Sequence, residues 1–344
     1  MNIEALAIED QGVMQVAPGI LRTEEAVGAN VTHVVQDDER LIAGLGDGRL
    51  VSQSADGLQT LARHKGAISG LQMLKCGSIL SAGQDGKLLS TTAEQTNVLF
   101  NADDAWIDAL AVSTDGTLAA VAVGKQASVY SDGELIASFS DHPSTVSGMA
   151  FFNDNKQLAV SHYNGVSLWS LADLAKPDRL TWAGSVVSVS ISPDQRYIAS
   201  ATQDREVHVW DRSTGRDFRL GGYQRKVNSI GWATDSSYIY TSGADVVVAW
   251  TMSGNPGDIP PVEIGYAHAH TVSTVAQIAN HSRIAAGFTD GSVQIGEVRG
   301  GTAQIARPKG GAGITAIDAP SNSPLITYGT ACGLLGNIKL VAHI

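Results

Sequence analysis

Histidines are the residues with which this chain could most readily do chemistry, and their spacing is the first test of that idea. His268 and His270 stand two positions apart in "AHAH", and His142 and His162 stand 20 positions apart. Imidazole nitrogens bind zinc, but zinc sites need three or four converging ligands, and neither pair has a Cys/His partner at a local ligand spacing. We therefore expect no metal and no cofactor.

The aspartates recur along the chain, one in each of several short Asp-Gly-like turns. Catalytic carboxylates need unlike groups gathered at one place, whereas a turn aspartate accepts hydrogen bonds from its own backbone amides once per turn. No Gly-x-Ser-x-Gly elbow and no Walker-type phosphate loop occurs in the sequence. The pattern favours structural turns over an active site. The turn residues are Asp47, Asp85, Asp204, Asp245 and Asp290, with Asn164 in the equivalent place.

These turns belong to a unit that recurs eight times. A nine-residue frame such as "VVSVSISPD" begins at positions 31, 68, 107, 146, 186, 227, 272 and 314, so that its period is near 40 residues. A short apolar segment, the turn, an alternating segment and a more polar segment follow each frame. The alternating segment ends at an aromatic residue in four successive copies, at Tyr130, Trp169, Trp210 and Trp250.

Period-2 alternation and tight turns indicate strands, and four short strands make one small antiparallel sheet. Such a sheet buries both faces only by stacking on identical neighbours around an axis. The sequence therefore predicts an all-β fold, a closed β-propeller forming a single domain over residues 1–344. Eight blades follow from the count, with seven as the alternative. The last copy has three strands, so we expect the segment 1–28 to supply its fourth and to close the ring.

The unit resembles the WD-repeat β-propeller family in degenerate form. The resemblance implies that each blade is locked by a histidine before its first strand, a serine in the second, a turn aspartate and a tryptophan ending the third. No single blade carries all four groups. The matching residues are His64, His142 and His268; Ser81, Ser161 and Ser200; Asp47, Asp85, Asp204 and Asp290; and Trp169, Trp210 and Trp250.

The net charge, the cysteine content and the N-terminal sequence restrict the partners and the cellular compartment that we expect for this chain. With 23 Lys+Arg against 34 Asp+Glu, the formal net charge is −11, which repels nucleic-acid backbones and anionic lipid. The two cysteines, Cys76 and Cys332, form no disulfide framework, the N-terminus lacks the features of a secretory signal, and no apolar run is long enough to span a membrane. We expect a cytoplasmic, monomeric ring with no nucleic-acid or membrane partner.

For function, the family resemblance implies a non-catalytic scaffold that docks other proteins on one loop face. The alternative is a propeller enzyme, or a propeller that binds a metal or small molecule in its central channel. In a propeller, the loops between blades share a face with the turns between the second and third strands. Aromatic and cationic side chains on this face are the predicted docking residues. They are Trp106, Tyr163, Arg205, Tyr223, Arg225 and Lys226.

Overall fold

The fold is an eightfold repeat of small antiparallel sheets. The computed structural model describes residues 16–17, 19–37, 39–103, 105–278, 283–320 and 325–340. These residues form eight sheets, each built from consecutive stretches of the chain except the last, which also recruits the N-terminal strand. The prediction of an all-β, eight-bladed propeller is confirmed. No helix occurs in these ranges, and hence none that is long and apolar enough to cross a membrane.

Each blade uses its strands in chain order from the central channel outward. Blades one to four contain β2 (Val31–Gln36), β3 (Leu41–Leu45), β4 (Arg49–Ser54) and β5 (Gly57–Arg63); β6 (Ile68–Met73), β7 (Ile79–Gly83), β8 (Lys87–Thr91) and β9 (Thr96–Asn101); β10 (Ala109–Val112), β11 (Leu118–Val123), β12 (Gln126–Ser131) and β13 (Glu134–Phe139); and β14 (Gly148–Phe151), β15 (Gln157–Ser170) and β16 (Asp178–Ser185).

Blades five to eight repeat the arrangement. They contain β17 (Ser190–Ile191), β18 (Tyr197–Ala201), β19 (Val207–Asp211) and β20 (Arg216–Leu220); β21 (Ile230–Trp232), β22 (Tyr238–Thr241), β23 (Val247–Thr251) and β24 (Val262–Ile264); β25 (Val272–Ile278), β26 (Arg283–Phe288), β27 (Val293–Glu297) and β28 (Thr302–Arg307); and β29 (Ile314–Asp318), β30 (Leu325–Thr330), β31 (Leu334–Leu340) and β1 (Ile20–Ala26).

Blade four departs from the expected four separate strands, because its two middle strands run together as β15. The chain reverses at Asn164 and Gly165, which both have positive φ, at 69° and 134°. The Leu171 N–H donates to the Lys156 carbonyl oxygen at 2.8 Å, so the two ends of β15 lie side by side. The turn is so tight that strand pairing continues through it. The blade therefore keeps the four-stranded layout within three continuous segments.

The hydrophobic core lies between neighbouring blades and not at the centre of the ring. The second strands β3, β7 and β18 are buried at every position, as their short apolar sequences predict. Between blades three and four, the Phe139 ring stacks on Trp169 with centroids 4.4 Å apart. Because each sheet buries apolar side chains against both neighbours, the blades are stable only as a set.

Hydroxyl groups on the inner strands join successive blades at the channel. In four frames the second residue is a serine or threonine whose Oγ donates to the carbonyl oxygen of the first frame residue in the next blade. The serine or threonine at this frame position is visible in the sequence, but the hydrogen bond that it donates to the next blade is visible only in the structure. The bonds are Ser69 to Ile107 (3.0 Å), Ser147 to Val186 (2.7 Å), Ser273 to Ile314 (2.7 Å) and Thr315 to Val31 (2.5 Å).

The N-terminal strand closes the ring, as predicted. β1 pairs antiparallel with β31 along its whole length, from Ile20 opposite Leu340 to Ala26 opposite Leu334. Of the segment 1–28 expected to do this, residues 1–15 and 18 lie outside the described residues.

One charged group fixes this closing strand in place. Glu24 lies on β1, and its side chain is only 23% exposed. Its Oε1 accepts hydrogen bonds from Arg307 Nε at 2.6 Å and from the Tyr328 hydroxyl at 2.7 Å. Burial alone would raise the pKa of Glu24, but the bonds from Arg307 and Tyr328 outweigh it and lower the pKa. Side chains from blades seven and eight therefore jointly anchor the closing strand.

We expect Glu24→Gln to lower the free energy of unfolding by about 2 kcal/mol, because it leaves the buried Arg307 cation without its counter-charge. Chemical denaturation followed by tryptophan fluorescence measures this. Glu25→Gln is the matched control, since within the described residues Glu25 accepts a side-chain hydrogen bond only from the neutral Gln53 amide, and its effect should stay within about 0.5 kcal/mol. Equal stability of the two variants would contradict the role given to Glu24.

Candidate docking face

Blade two contains the histidine-centred lock that the family resemblance implies. The two ring nitrogens of His64 lie 2.9 Å from Asp85 Oδ1 and 2.9 Å from Ser81 Oγ. Asp85 Oδ2 also accepts the Lys65 backbone N–H at 2.9 Å, which ties the turn to the loop before the blade. His64 and Ser81 are buried, so these bonds are shielded from water. We call such a connection from the loop before a blade to its second strand, its third strand or the turn between them a blade lock.

Blade four has a lock with a different set of partners. Trp169 Nε1 donates to His142 Nε2 at 2.9 Å, so the other nitrogen of His142 carries the proton and donates to the Lys125 carbonyl oxygen at 2.7 Å. The predicted role of Ser161 in this lock is wrong. Ser161 Oγ instead contacts Ser147 Oγ at 3.0 Å, because it faces the junction with blade five.

In blade five, stacked rings replace the predicted hydrogen bonds. Trp182 occupies the histidine position and stacks on His208 at 3.9 Å between centroids, and His208 meets Trp210 edge-on at 4.4 Å. Trp210 is buried, as predicted for a residue that ends a third strand. Asp204 is exposed and Ser200 Oγ is buried with no hydrogen-bond partner in the described chain, so the predicted Ser200–Asp204 contribution to a lock is wrong. An indole ring cannot bridge them as an imidazole would.

Blade six corrects one predicted docking residue. Tyr223 is buried, its hydroxyl lies 2.7 Å from Thr241 Oγ1, and it accepts the Trp250 Nε1–H at 2.8 Å. Burial raises the pKa of Tyr223 to about 12. Tyr223 is therefore a blade lock and is not available to a partner. It stands four residues before the frame at Val227, as His64 does before its own frame, and this spacing was the overlooked signal.

Blade seven corrects a predicted lock. His268 is exposed, and its ring lies 5.8 Å from the Tyr266 ring. The buried Gln294 takes over, because its amide donates to the Tyr266 carbonyl oxygen at 2.8 Å and accepts the Tyr266 N–H at 3.1 Å. Asp290 Oδ1 accepts hydrogen bonds from the Ser292 N–H at 2.8 Å and from the Ser292 hydroxyl at 2.7 Å. Asp290 therefore stabilises its own turn.

We expect Tyr223→Phe to lower the free energy of unfolding by about 1–2 kcal/mol, because it leaves the Trp250 N–H and the Thr241 hydroxyl with one partner fewer in a buried place. Tyr163→Phe removes an exposed hydroxyl and is the matched control, with no expected change. Differential scanning calorimetry of the two variants measures the difference in stability. A Tyr223→Phe protein as stable as the control would mean that Tyr223 is not a lock.

The loops between blades and the turns between second and third strands together form one face of the ring, here called the upper face. Three large aromatic side chains are exposed on it: Trp106 at 61%, Tyr163 at 50% and Tyr266 at 42%. Trp106 borders a shallow pocket of about 460 Å³ that also contacts Lys65 and Lys87. Sequence reasoning singled out Trp106 and Tyr163 but missed Tyr266, because position alone does not reveal exposure.

On the side of blades four to six, these loops form a continuous surface. The Gly184 N–H donates to Asn164 Oδ1 at 3.2 Å, Arg205 Nη1 approaches the Gln224 carbonyl oxygen at 3.4 Å, and Gln224 Nε2 donates to Asp245 Oδ1 at 3.2 Å. The structure thus brings Tyr163, Arg205, Arg225 and Lys226 onto adjoining loops. Trp106 lies apart from them, between blades two and three.

The turn that carries Arg205 has an unusual backbone. Each of the eight turns between second and third strands contains a residue with positive φ, and in seven of them it is a glycine. In blade five it is Arg205, with φ at 62°. A left-handed conformation costs a residue with a Cβ atom about 1 kcal/mol. An added Cβ at Gly48 would strike the His64 carbonyl oxygen on the next loop, and one at Gly165 would strike the Leu180 carbonyl oxygen on β16, whereas at Gly124 no atom lies within 4 Å.

The buried histidines make no cluster suited to a metal. The rings of His142 and His162 lie 5.7 Å apart, and within the described ranges no three His, Cys, Asp or Glu side chains converge. Burial lowers the pKa of His142 and His162 below 6.5, and likewise that of His33 and His208. Each of the four is therefore held neutral in the folded protein.

These histidines predict a loss of stability in mild acid. The unfolded chain binds protons on them near pH 6.5, whereas the folded chain resists until lower pH, so their contribution is complete above pH 6.5 and falls below it. We expect the melting temperature to fall between pH 7.5 and 5.5, and to fall less in a His142→Gln, His162→Gln double variant. Melting curves that superimpose across this range would contradict the neutral state of the histidines.

The fold and the locks define a closed eight-bladed β-propeller built from imperfect repeats of one unit. The sequence profile described as "WD domain, G-beta repeat" matches residues 133–170 and 179–211, which fall on blades three to five. This match identifies WD40-type repeats in blades three to five.

Curated relatives match at low identity. The chain is 27% identical to the 66 kDa stress protein of Physarum polycephalum over 49% of this chain and 29% of that protein. It is 24% identical to Actin-interacting protein 1 of Caenorhabditis elegans over 68% of this chain and 40% of that protein. It is 28% identical to "Cell division cycle 20.1, cofactor of APC complex" of Arabidopsis thaliana over 40% of this chain and 30% of that protein. The chain thus spans well under half the length of these relatives.

Solved structures agree on the fold. The computationally designed Ika8 protein superposes with a TM-score of 0.74 at 17% identity, over 92% of this chain and 98% of that one. A chain of the Mitotic Checkpoint Complex superposes with a TM-score of 0.67 at 13% identity, over 80% and 87%. At these identities the likeness concerns the fold alone.

Proposed function

We propose that this protein is a non-catalytic interaction platform that binds another protein on its upper face. The observation that carries the proposal is the exposure of Trp106 and Tyr163 on loops whose backbones are fixed by the blades. Aromatic side chains held rigidly at a surface are enriched at the energetic centres of protein interfaces, because they bury a large area and lose little conformational freedom. The cytoplasm is the compartment in which we propose that it works.

The distribution of exposed aromatic side chains supports the choice of the upper face over the opposite one. Loops of neighbouring blades bond to one another on both faces, for example Thr114 Oγ1 to Asn153 Oδ1 at 3.0 Å on the opposite face. Among the described residues, the exposed large aromatic side chains all lie on the upper face, whereas the large hydrophobic side chains exposed on the opposite loops, Leu174 and Ile259, are aliphatic.

The names of the relatives are compatible with a role in assembly. One is called an actin-interacting protein, another a cofactor of a complex, and a structurally similar chain comes from a checkpoint complex. These names describe those proteins. For this chain they support the coarser proposal that its ligand is a protein, without identifying which one.

A pull-down from the source cell with mass spectrometry tests the proposal. We expect a Trp106→Ala, Tyr163→Ala double variant to lose proteins that the wild type recovers, because truncating a central aromatic residue weakens an interface by 2 kcal/mol or more, about 30-fold. Leu135→Ala with Ile136→Ala is the matched control, since these side chains are 56% and 46% exposed on the outer strand of blade three. Identical recovery by both variants would reject the upper face as the docking surface.

A further inference from the structure

Arg205 has a left-handed backbone in a turn where the seven other blades place a glycine with positive φ. Its side chain is exposed, and the one hydrogen bond that it forms inside the described chain is the 3.4 Å contact of Nη1 with the Gln224 carbonyl oxygen. A side chain that the fold accommodates at some expense, and that adds little to the fold, points to a role outside it.

We propose that Arg205, together with Arg225 and Lys226, binds the carboxylates of an acidic segment in a partner protein. This inference rests on the proposed function, because it assigns the chemistry of a partner to one part of the upper face. Arg225 and Lys226 make no side-chain hydrogen bond or ion pair with any described residue, so their charges are available. A guanidinium presents parallel N–H groups that match a carboxylate.

The distribution of charge supports an acidic ligand. On the upper-face loops of blades five and six, Arg205, Arg225 and Lys226 carry three positive charges in a chain whose formal net charge is −11. A cationic patch on an anionic background steers an acidic segment to one place and disfavours other orientations. Long polyanions such as nucleic acid would meet the negative remainder of the ring, so a short acidic segment fits best.

The acids nearest to the patch do not neutralise it. Glu206 is already paired with Arg219, at 2.6 Å between Oε2 and Nε. Asp245 accepts from the Gln224 amide. Asp204 precedes Arg205 and forms no ion pair with it, and its Oδ2 faces Gly184 on the loop before blade five. The three cations therefore keep their attraction for an external carboxylate.

The test uses a fluorescein-labelled decaglutamate peptide, with fluorescence anisotropy at low salt. Arg205→Gln and Lys309→Gln each remove one exposed cation from the upper face, the first in the turn of blade five and the second in the loop before blade eight. We expect Arg205→Gln to weaken binding about tenfold, as for loss of one hydrogen-bonded ion pair, and Lys309→Gln to change it less than about twofold. Equal effects of the two substitutions, or none, would overturn the proposal.

Arg205→Gly separates binding from folding. Glycine suits the left-handed turn, so the melting temperature should stay the same or rise by about 2 °C while peptide binding falls as in Arg205→Gln. A lower melting temperature would show that Arg205 serves the fold and would overturn the inference. In the cell pull-down, loss of partners with Trp106→Ala, Tyr163→Ala but not with Arg205→Gly would refute the acidic site alone. If neither variant loses partners, the platform itself is refuted.

Discussion

Closure of the ring is the constraint on which the rest of this structure depends. Each sheet has two apolar faces and can bury both only between two neighbours, so a row of eight blades would leave its first and last blades uncovered. The chain meets this requirement by crossing from its N-terminus to its last blade as β1. Glu24 then joins blades seven and eight through Arg307 and Tyr328. This ion pair thus holds in place β1, the strand that is not contiguous along the chain with the rest of its blade.

Within the blades, the position of a lock is kept while its chemistry varies. Four residues before their frames stand His64, Trp182 and Tyr223, which connect loop to sheet by imidazole hydrogen bonds, by stacking and by a phenol hydroxyl. What these three positions share is a bulky ring that fills the gap between loop and sheet, and in blades two and six that ring also satisfies buried polar groups beside it. Several residue types do this, so the repeats can diverge in sequence without loss of the blade.

This tolerance explains what the sequence could and could not predict. Spacing alone predicted the eight blades, the strand added at the N-terminus and the turn aspartates, because periodicity is imposed by the fold. It misassigned Tyr223 and His268, because residue identity does not say whether a side chain is buried or exposed. The merging of the two middle strands of blade four into β15 and the stacking of Trp182 on His208 depend on geometry at a scale of about 1 Å, which no local sequence pattern contains.

The docking face follows from the same separation of roles. Groups that hold blades together are buried or engaged with one another, so what remains exposed on rigid loops is available to a partner. Trp106 and Tyr163 are such groups by exposure. Arg205 is also such an exposed group, and its backbone distinguishes it, because a left-handed arginine is tolerated here where the repeat otherwise uses glycine. Under the proposed function, stability and binding are thus carried by different residues of the same loops.

A designed disulfide tests the closed ring most directly. Thr23 on β1 lies opposite Asn337 on β31, so cysteines at these two positions, with Cys76 and Cys332 replaced by serine, should cross-link on oxidation and raise the melting temperature. Cysteines at Thr23 and Lys339 are out of register and should cross-link poorly. Efficient cross-linking of the Thr23–Asn337 pair alone is the result that ring closure predicts. Failure of that pair to cross-link, or equal cross-linking of both, would contradict it.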